Sequence, residues 1–232
     1  MKSATVEDHF ILCNWNFAGH EIIEEFRADE KSKDAPIVVI ANREEAPAGG
    51  KNVHFVHGEV TEETLTRANI RQARAVVILA EEALDPQMRD ARSILDCLTV
   101  KSMGPGLYTC IELMSAKNIA HADRAKADEY IVVTEISTGL LVQAALDHGI
   151  TRMVTELVSN RFGNELYSIP IPKRLAGRSF LAVMNELKEK HDVLCLGVEV
   201  IGTGSLITNP KADYQLQPQD RLVVIAERRP VL

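Results

Sequence analysis

The sequence lacks any apolar run long enough to cross a membrane. A spanning helix needs roughly 18 consecutive apolar residues, and although 46% of the 232 residues are hydrophobic, no stretch approaches that length. No apolar signal-peptide core follows the N-terminus. The four cysteines form no C-x-x-C pair, which favours reduced thiols and a cytosolic protein. We therefore expect a cytoplasmic chain of ordinary globular composition.

Positive charge is also scarce. The chain has 26 Lys and Arg against 33 Asp and Glu, a formal net charge of −7. A nucleic-acid-binding surface needs clustered basic residues, so we expect no nucleic-acid partner. The charge is uneven, because residues 1–159 carry 16 basic and 25 acidic side chains, whereas residues 160–232 carry 10 and 8. This asymmetry indicates two domains, of which the first is acidic.

The glycine-rich phosphate loop of dinucleotide-binding proteins is missing from the place where it would be expected. An apolar strand over residues 9–13 leads into the turn NWNFAG and then into a helix-spaced apolar pattern. Of the G-x-G-x-x-G glycines only Gly19 is present, and Asn14 and Asn16 stand at the other two positions. Asparagine tolerates the backbone angles of such a turn, but its side chain impedes the close approach of a pyrophosphate.

After the second strand, Asn42 stands at the place of the acidic residue that binds ribose hydroxyls in dinucleotide-binding folds, and Glu44 comes slightly later. An asparagine can still hydrogen-bond a hydroxyl group. The pattern disfavours a bound dinucleotide such as NAD, and it leaves open a mononucleotide, such as ADP or ATP, or no nucleotide. The candidate cofactor contacts from these segments are Asn14, Asn16, Gly19 and Asn42.

Strand and helix patterns alternate through the first 133 residues. Several strand candidates are continuous Val- and Ile-rich runs, which are typical of parallel strands covered on both faces. The alternation predicts an α/β fold, a Rossmann-like doubly wound parallel sheet with ligands at the carboxyl ends of its strands. The predicted strands are residues 9–13, 36–41, 53–58, 73–80, 107–113 and 129–133.

One long helix is predicted over residues 86–103, with Asp85 as its cap and Pro86 in its first turn. Apolar residues recur along it at i, i+3, i+4 and i+7, the spacing of one face of an amphipathic helix. This predicted apolar face consists of Ala91, Ile94, Leu95 and Leu98.

The pattern changes in the last hundred residues. A long helix that Gly149 is predicted to end and a short one over residues 150–158 form a helix-turn-helix connector, whose apolar surface suits a place between domains or subunits. A strand, a helix capped by Ser179, a hairpin that turns at residues 202–204 and a last strand then predict a small α+β C-terminal subdomain. The predicted domains are residues 1–133, 134–160 and 161–232.

Several segments, in order along the chain, resemble the parts of one known family. "ILCNWN" resembles its first strand and turn, and "NVHFVHGEVTEETLTRANIRQARAVVILA" resembles its third strand and "hGD" corner, where this chain has Glu59. "STGLLVQAALDHG" resembles the helix that joins two subdomains, and "IPIPKRLAGRSFLAV" with "LQPQDRLVVIAE" resembles the C-terminal subdomain. This ordered set resembles the RCK domain, the regulator of potassium conductance. The resemblance adds Glu59 to the candidate cofactor contacts.

The resemblance implies a cytosolic ligand-sensing domain, at the inner face of the plasma membrane, that controls a potassium channel. In the family such domains form homo-oligomers, dimers that often build a ring of eight copies, and ligand binding changes the angle between subdomains and pulls on the pore. A free-standing nucleotide-binding subunit of a Trk- or Ktr-type potassium transporter is the alternative. An NAD-dependent oxidoreductase is less expected, since the glycine fingerprint fails and no acid–base pair accompanies it. We expect no enzymatic activity.

The resemblance also supplies candidate calcium ligands. Asp90 and Glu112 match carboxylates that bind calcium in calcium-gated members, whereas Met114 replaces a further carboxylate of the family pattern. Calcium prefers about six to eight oxygen ligands and does not favour a thioether. Asp85, in an acidic loop, would add an oxygen. The structural alternative is that Asp90 serves the N-terminus of its helix, that Glu112 is a solvated residue at the end of its strand, and that Asp85 caps the helix.

Overall fold

The computed structural model describes residues 5–232, apart from the side chain of Gln87. The chain divides between Leu146 and Asp147 into two compact units. The finer division into residues 1–133, 134–160 and 161–232 remains a prediction. No helix in the described part of the chain is long and apolar enough to cross a membrane.

In the first unit, as far as it is described, six parallel strands form one sheet. They are β1 (His9–Cys13), β2 (Ile37–Ala41), β3 (Val53–His57), β4 (Ala73–Ile78), β5 (Tyr108–Leu113) and β6 (Glu129–Val132). Their order in the sheet is β3-β2-β1-β4-β5-β6. The chain therefore crosses over between β3 and β4, which confirms the predicted doubly wound α/β fold and puts its ligand crevice at the carboxyl ends of β1 and β4.

Helices pack against both faces of the central strands. They are α1 (Gly19–Ala28), α2 (Glu62–Arg67), α3 (Pro86–Met103) and α4 (Ile119–Arg124). Helix α5 (Val133–Leu146) follows β6 and buries none of its residues. Every residue of β2 is buried: Val39 packs in a cluster with Ile23 of α1, and Val38 packs in another with Val100 of α3. A strand covered on both faces has no solvent side, which explains why its sequence is continuously apolar.

Helix boundaries follow the predicted signals with one exception. Helix α3 begins at Pro86, and the Asp85 carboxylate accepts a hydrogen bond from the backbone N–H of Met88 at 3.2 Å, as predicted for a cap. The prediction that Gly149 ends the long helix is wrong, because α5 already ends at Leu146. Gly149, with φ +94°, instead supplies the left-handed turn directly before α6 (Ile150–Val158).

The predicted apolar face of α3 is correct only at Ile94, which is partly buried against the core of the first unit. Leu95 is 60% exposed and Leu98 47%, and Ala91 is exposed as well. The residues that α3 buries are mostly small or polar: Asp90, Ser93, Asp96, Cys97, Val100 and Lys101. The period of the pattern indicated a helix correctly, but the inward face is mostly small or polar, with Asp90, Asp96 and Lys101 hydrogen-bonded inside the fold. The leucines of the pattern are exposed.

In the second unit, four strands of the described chain form an antiparallel sheet in the order β7 (Glu165–Pro170), β10 (Arg221–Ala226), β8 (Leu194–Val200) and β9 (Ser205–Thr208). Helix α7 (Phe180–His191) buries Val183 and Leu187 in one cluster with Val198 and Leu222 of the sheet. The antiparallel pairing of β8 and β9 confirms the predicted hairpin. Ser179 lies at the N-cap of α7, but its side chain makes no capping hydrogen bond.

Candidate ligand site at the carboxyl edge of the sheet

The turn after β1 brings Asn14 to the crevice between β1 and β4. Asn14 adopts the left-handed conformation with φ +64°, which asparagine tolerates better than most residues, so the turn forms without its glycine. The side-chain amide donates to the carbonyl oxygen of Leu79 at 3.2 Å and to the carboxylate of Asp96, on α3, at 2.8 Å. The fold therefore fixes Asn14 at the position of the first fingerprint glycine.

Asp96 extends this contact to the corner after β3. Its burial raises the pKa of the carboxyl, although the hydrogen bond from Asn14 and the charge of Arg92 oppose the rise. Arg92 Nε lies 3.0 Å from Asp96 Oδ1, and Arg92 Nη1 lies 3.2 Å from Glu59 Oε2. Glu59, a predicted cofactor contact, thus binds a guanidinium of its own chain. Together these side chains connect the corner after β3 to the turn after β1.

Asn16 connects the same turn to β4 and β5. Its amide donates to the carbonyl oxygen of Ala80 at 3.1 Å and to Glu112 Oε2 at 2.8 Å. Its side-chain oxygen Oδ1 accepts a hydrogen bond from the backbone N–H of Ala18 at 3.0 Å. Glu112 Oε2 also accepts the backbone N–H of Ala80 at 2.8 Å. Glu112, a predicted metal ligand, and Asn16, a predicted cofactor contact, therefore bind each other.

Trp15 occupies the space beside the start of α1. It is 7% exposed, and a Cβ built on Gly19 would lie 2.8 Å from its ring, so the predicted cofactor contact Gly19 lies against the indole. A pyrophosphate needs free N–H groups at the start of the helix and a close approach to glycine. Here the N–H of Ala18 is bonded to Asn16 and Trp15 covers Gly19. These residues do not fit a dinucleotide.

A small cavity of about 160 Å³ opens beside Trp15 at the ends of β1 and β2. Asn42, the predicted ribose contact, lines it together with Asn14, Arg43 and Glu81. Sites for small organic ligands usually measure about 300–1,000 Å³. This cavity therefore has room for a hydrated ion or a small polar group and not for a nucleotide.

Asp90, the first predicted calcium ligand, is fully buried on α3. Its Oδ1 accepts the backbone N–H of Met114 at 2.6 Å. Its Oδ2 accepts the backbone N–H of Ser115 at 3.0 Å and the side-chain amide of Asn118 at 2.6 Å. The carboxylate therefore holds α3 to the segment between β5 and α4.

Calcium needs about six to eight oxygens around one point. Within residues 5–232, no group of three or more His, Cys, Asp or Glu side chains is arranged to hold a metal ion. Asp90, Glu112 and Asp85 each accept N–H donors of this chain. In this arrangement the three residues do not fit a calcium ion, and the metal site stays a prediction.

Asp96, Arg92 and Asn118 complete these contacts and were not among the residues predicted from the sequence. A signal was present for the inward face of α3, since Asp90, Ser93 and Cys97 recur at i, i+3 and i+7. A second face of the helix, which contains the leucines, has the same spacing and is apolar, so that face was predicted to be buried. Nothing in the sequence indicated Asn118, because its partner lies 28 residues away.

Comparison with known proteins gives matches along the whole described chain. A family model described as "calcium-activated potassium channel slowpoke-like RCK domain" matches residues 5–137, and one described as "Castor and Pollux, part of voltage-gated ion channel" matches residues 134–231. The calcium-gated potassium channel TvoK of Thermoplasma volcanium is 28% identical over 228 residues, which are 97% of this chain and 64% of TvoK. The calcium-activated potassium channel slo-1 of Caenorhabditis elegans is 23% identical over 205 residues, which are 75% of this chain and 18% of slo-1.

Among solved structures, the human SLO3 gating ring matches with a TM-score of 0.71 and 20% sequence identity. The match covers 94% of this chain and 44% of the SLO3 chain. At this identity the likeness shows a shared fold. The chain spans less than two thirds of the length of TvoK, of slo-1 and of the SLO3 chain.

Proposed function

Because this chain belongs to the calcium-activated potassium channel slowpoke-like RCK domain family, we propose that it is the ligand-sensing regulatory domain of a potassium channel, acting in the cytoplasm at the inner face of the plasma membrane. The observation that carries the proposal is the match to TvoK, a calcium-gated potassium channel, over 97% of the chain, which takes in both units. Such a regulator converts ligand binding into movement, because the ligand prefers one of two states. It needs a rigid sheet and no covalent chemistry, so we propose no enzymatic activity.

We propose that the chain associates with copies of itself, as dimers that build a ring of up to eight, and with the pore of the channel. Helix α5 supports this proposal. None of its residues is buried, and Ile136, Leu141 and Leu146 are 51%, 72% and 70% exposed. Contiguous exposed apolar surface is typical of protein interfaces. Light scattering at micromolar concentration should give at least a dimer, and a stable monomer would contradict this part of the proposal.

We propose that the ligand acts at the carboxyl edge of the six-stranded sheet. The resemblance favours calcium through Asp85, Asp90 and Glu112, but the arrangement of these three carboxylates, which accept N–H groups of this chain, disfavours it there. The packing of Trp15 on Gly19 disfavours NAD, ADP and ATP. Thermal melting with calcium, magnesium, sodium, NAD, ADP and ATP in turn identifies the ligand, since a compound that binds the folded state raises the melting temperature. We expect NAD to leave the melting temperature unchanged.

The function is tested in a chimera in which this chain replaces the matching region of TvoK. Potassium flux through vesicles that contain the chimera is compared with flux through TvoK and through TvoK without the region. We expect the chimera to conduct potassium and its flux to change with the ligand that raises the melting temperature. A flux that no ligand changes, equal to that of the truncated channel, would contradict the proposal.

The two other functions considered from the sequence agree less well with the turn after β1. A nucleotide-binding transporter subunit and an NAD-dependent oxidoreductase both need a phosphate group near the start of α1. The indole of Trp15 against Gly19 and the hydrogen bond between Asn16 and Ala18 obstruct that place. These contacts support the channel domain over both alternatives.

A further inference from the structure

We propose that the two carboxylates which the resemblance assigns to calcium, Asp90 and Glu112, act in this chain as internal hydrogen-bond acceptors, and that the side-chain amides of Asn118 and Asn16 take the place of the ion. The inference rests on the proposed function, because it concerns what the carboxyl edge of the regulatory domain responds to. It implies that this edge is held in one arrangement without calcium.

The buried carboxylate of Asp90 already has hydrogen-bond donors for both of its oxygens. A buried carboxylate is costly unless it is fully hydrogen-bonded, and Asp90 meets that need with three N–H donors at 2.6, 3.0 and 2.6 Å. Hydrogen bonds to an ionised acceptor are the strong ones. An ion that took this carboxylate would leave the backbone N–H groups of Met114 and Ser115 without their acceptor, which is unfavourable inside a protein.

Glu112, at the neighbouring strand end, also accepts N–H groups of its own chain. Its Oε2 accepts both the amide of Asn16 and the backbone N–H of Ala80, each at 2.8 Å. The two donors present their positive ends to the oxygen, as a cation would. They also belong to the turn after β1 and the segment after β4, so their loss would loosen the edge where the strands meet.

Asn118 is the residue that distinguishes an internal acceptor from an ion site. It stands directly before α4, yet its side chain makes no capping bond to that helix; the amide goes to Asp90. An aspartate at position 118 would set a second carboxylate against Asp90, and this like-charge pair is relieved either by a shared proton or, when both groups are ionised, by a cation. Asn118→Asp should therefore create the calcium dependence that the wild-type chain lacks.

The test measures the melting temperature of the wild-type chain, Asn118→Asp and the matched control Asn118→Ala, each in calcium, in magnesium and in chelator. Calcium should leave the wild type unchanged. Asn118→Asp should melt lower than the wild type in chelator and gain about 5–10 °C in calcium at roughly one hundred times the dissociation constant. Asn118→Ala, which removes the donor without adding a charge, should melt lower and not respond to calcium.

Two results would overturn the proposal. One is a calcium-induced rise in the wild type that Asp90→Asn abolishes, since Asp90 would then be a ligand. The other is a failure of calcium to stabilise Asn118→Asp, since the amide would then not be what stands in for the ion. A rise in the wild type that Asp90→Asn keeps would locate calcium elsewhere and support the assignment of Asp90.

Amide hydrogen exchange of the wild-type chain gives a reading that does not depend on the folding of any variant. The N–H groups of Met114 and Ser115 should be equally protected with and without calcium, and faster exchange in calcium would overturn the proposal. The flux experiment with the chimera tests the proposed function independently of calcium binding. A chimera whose potassium flux responds to a ligand other than calcium retains the function whatever the melting experiments show.

Discussion

Replacing Gly19 by alanine tests the packing that fills the place of a nucleotide phosphate. The added Cβ would lie 2.8 Å from three ring atoms of Trp15, whereas carbon atoms pack best at roughly 3.5–4.0 Å. Trp15 is buried in a cluster with Ile23 and Leu79, so the indole has little room to shift. Overpacking costs about 1–3 kcal/mol, and alanine in a helix returns at most about 1 kcal/mol. We expect Gly19→Ala to lower the free energy of unfolding by about 1–2 kcal/mol.

The assay is urea denaturation followed by the fluorescence of Trp15, the single tryptophan of the sequence, and by circular dichroism. Gly139→Ala in α5 is the matched control, because nothing lies within 4 Å of its added Cβ, and it should be neutral or stabilising by up to about 1 kcal/mol. In a Trp15→Leu background the cost of Gly19→Ala should disappear. A Gly19→Ala protein as stable as the wild type, or a loss of stability that persists without the indole, would show that Trp15 does not restrict this position.

Two further predictions concern stability. His9 is buried, with Nε2 2.8 Å from the carbonyl oxygen of Ala68, and burial lowers its pKa below the ordinary 6.5. The folded state therefore favours the neutral ring. The contribution of His9 to the free energy of unfolding is fully present above about pH 6.5 and is lost as the pH falls below that value. The urea midpoint of His9→Gln should fall less than that of the wild type between about pH 7.5 and 5.5, and an equal fall would contradict this. Arg27 donates to five carbonyl oxygens, in residues 32–35 and 51–52. Arg27→Lys keeps the charge but not the planar fork, so amide exchange should quicken in both segments, and unchanged exchange would show that the fork is dispensable.

Much of the fold could be predicted because its signals are local. Parallel strands covered on both faces must be apolar throughout, and β2, buried at every position, shows this requirement in its sequence. The cap at Asp85 and the start of α3 at Pro86 lie within one helical turn of each other, so adjacent residues were enough to find them. Asn14 and Asn16 directly follow β1, so the predicted parallel sheet already placed them at its carboxyl edge, where ligands bind.

The face that α3 turns inwards could not be predicted from its own residues. Its leucine stripe, with Leu95 and Leu98, has the better helical period, yet it is exposed. Asp90 and Asp96 are buried instead, because they meet donors from the segment after β5 and from the turn after β1. An apolar period shows that a helix exists, but the choice of its buried side depends on partners elsewhere in the chain.

The same limit applies to the candidate site. Composition, periodicity and caps were sufficient for the order of strands and helices, since each depends on residues within one or two turns of each other. Only the folded chain decided what the carboxylates bind: Asp90 meets Met114, 24 residues away, and Glu112 meets Asn16, 96 residues away. A carboxylate can bind an ion or an N–H group, and which of the two it does depends on what the fold brings within about 3 Å of its oxygens.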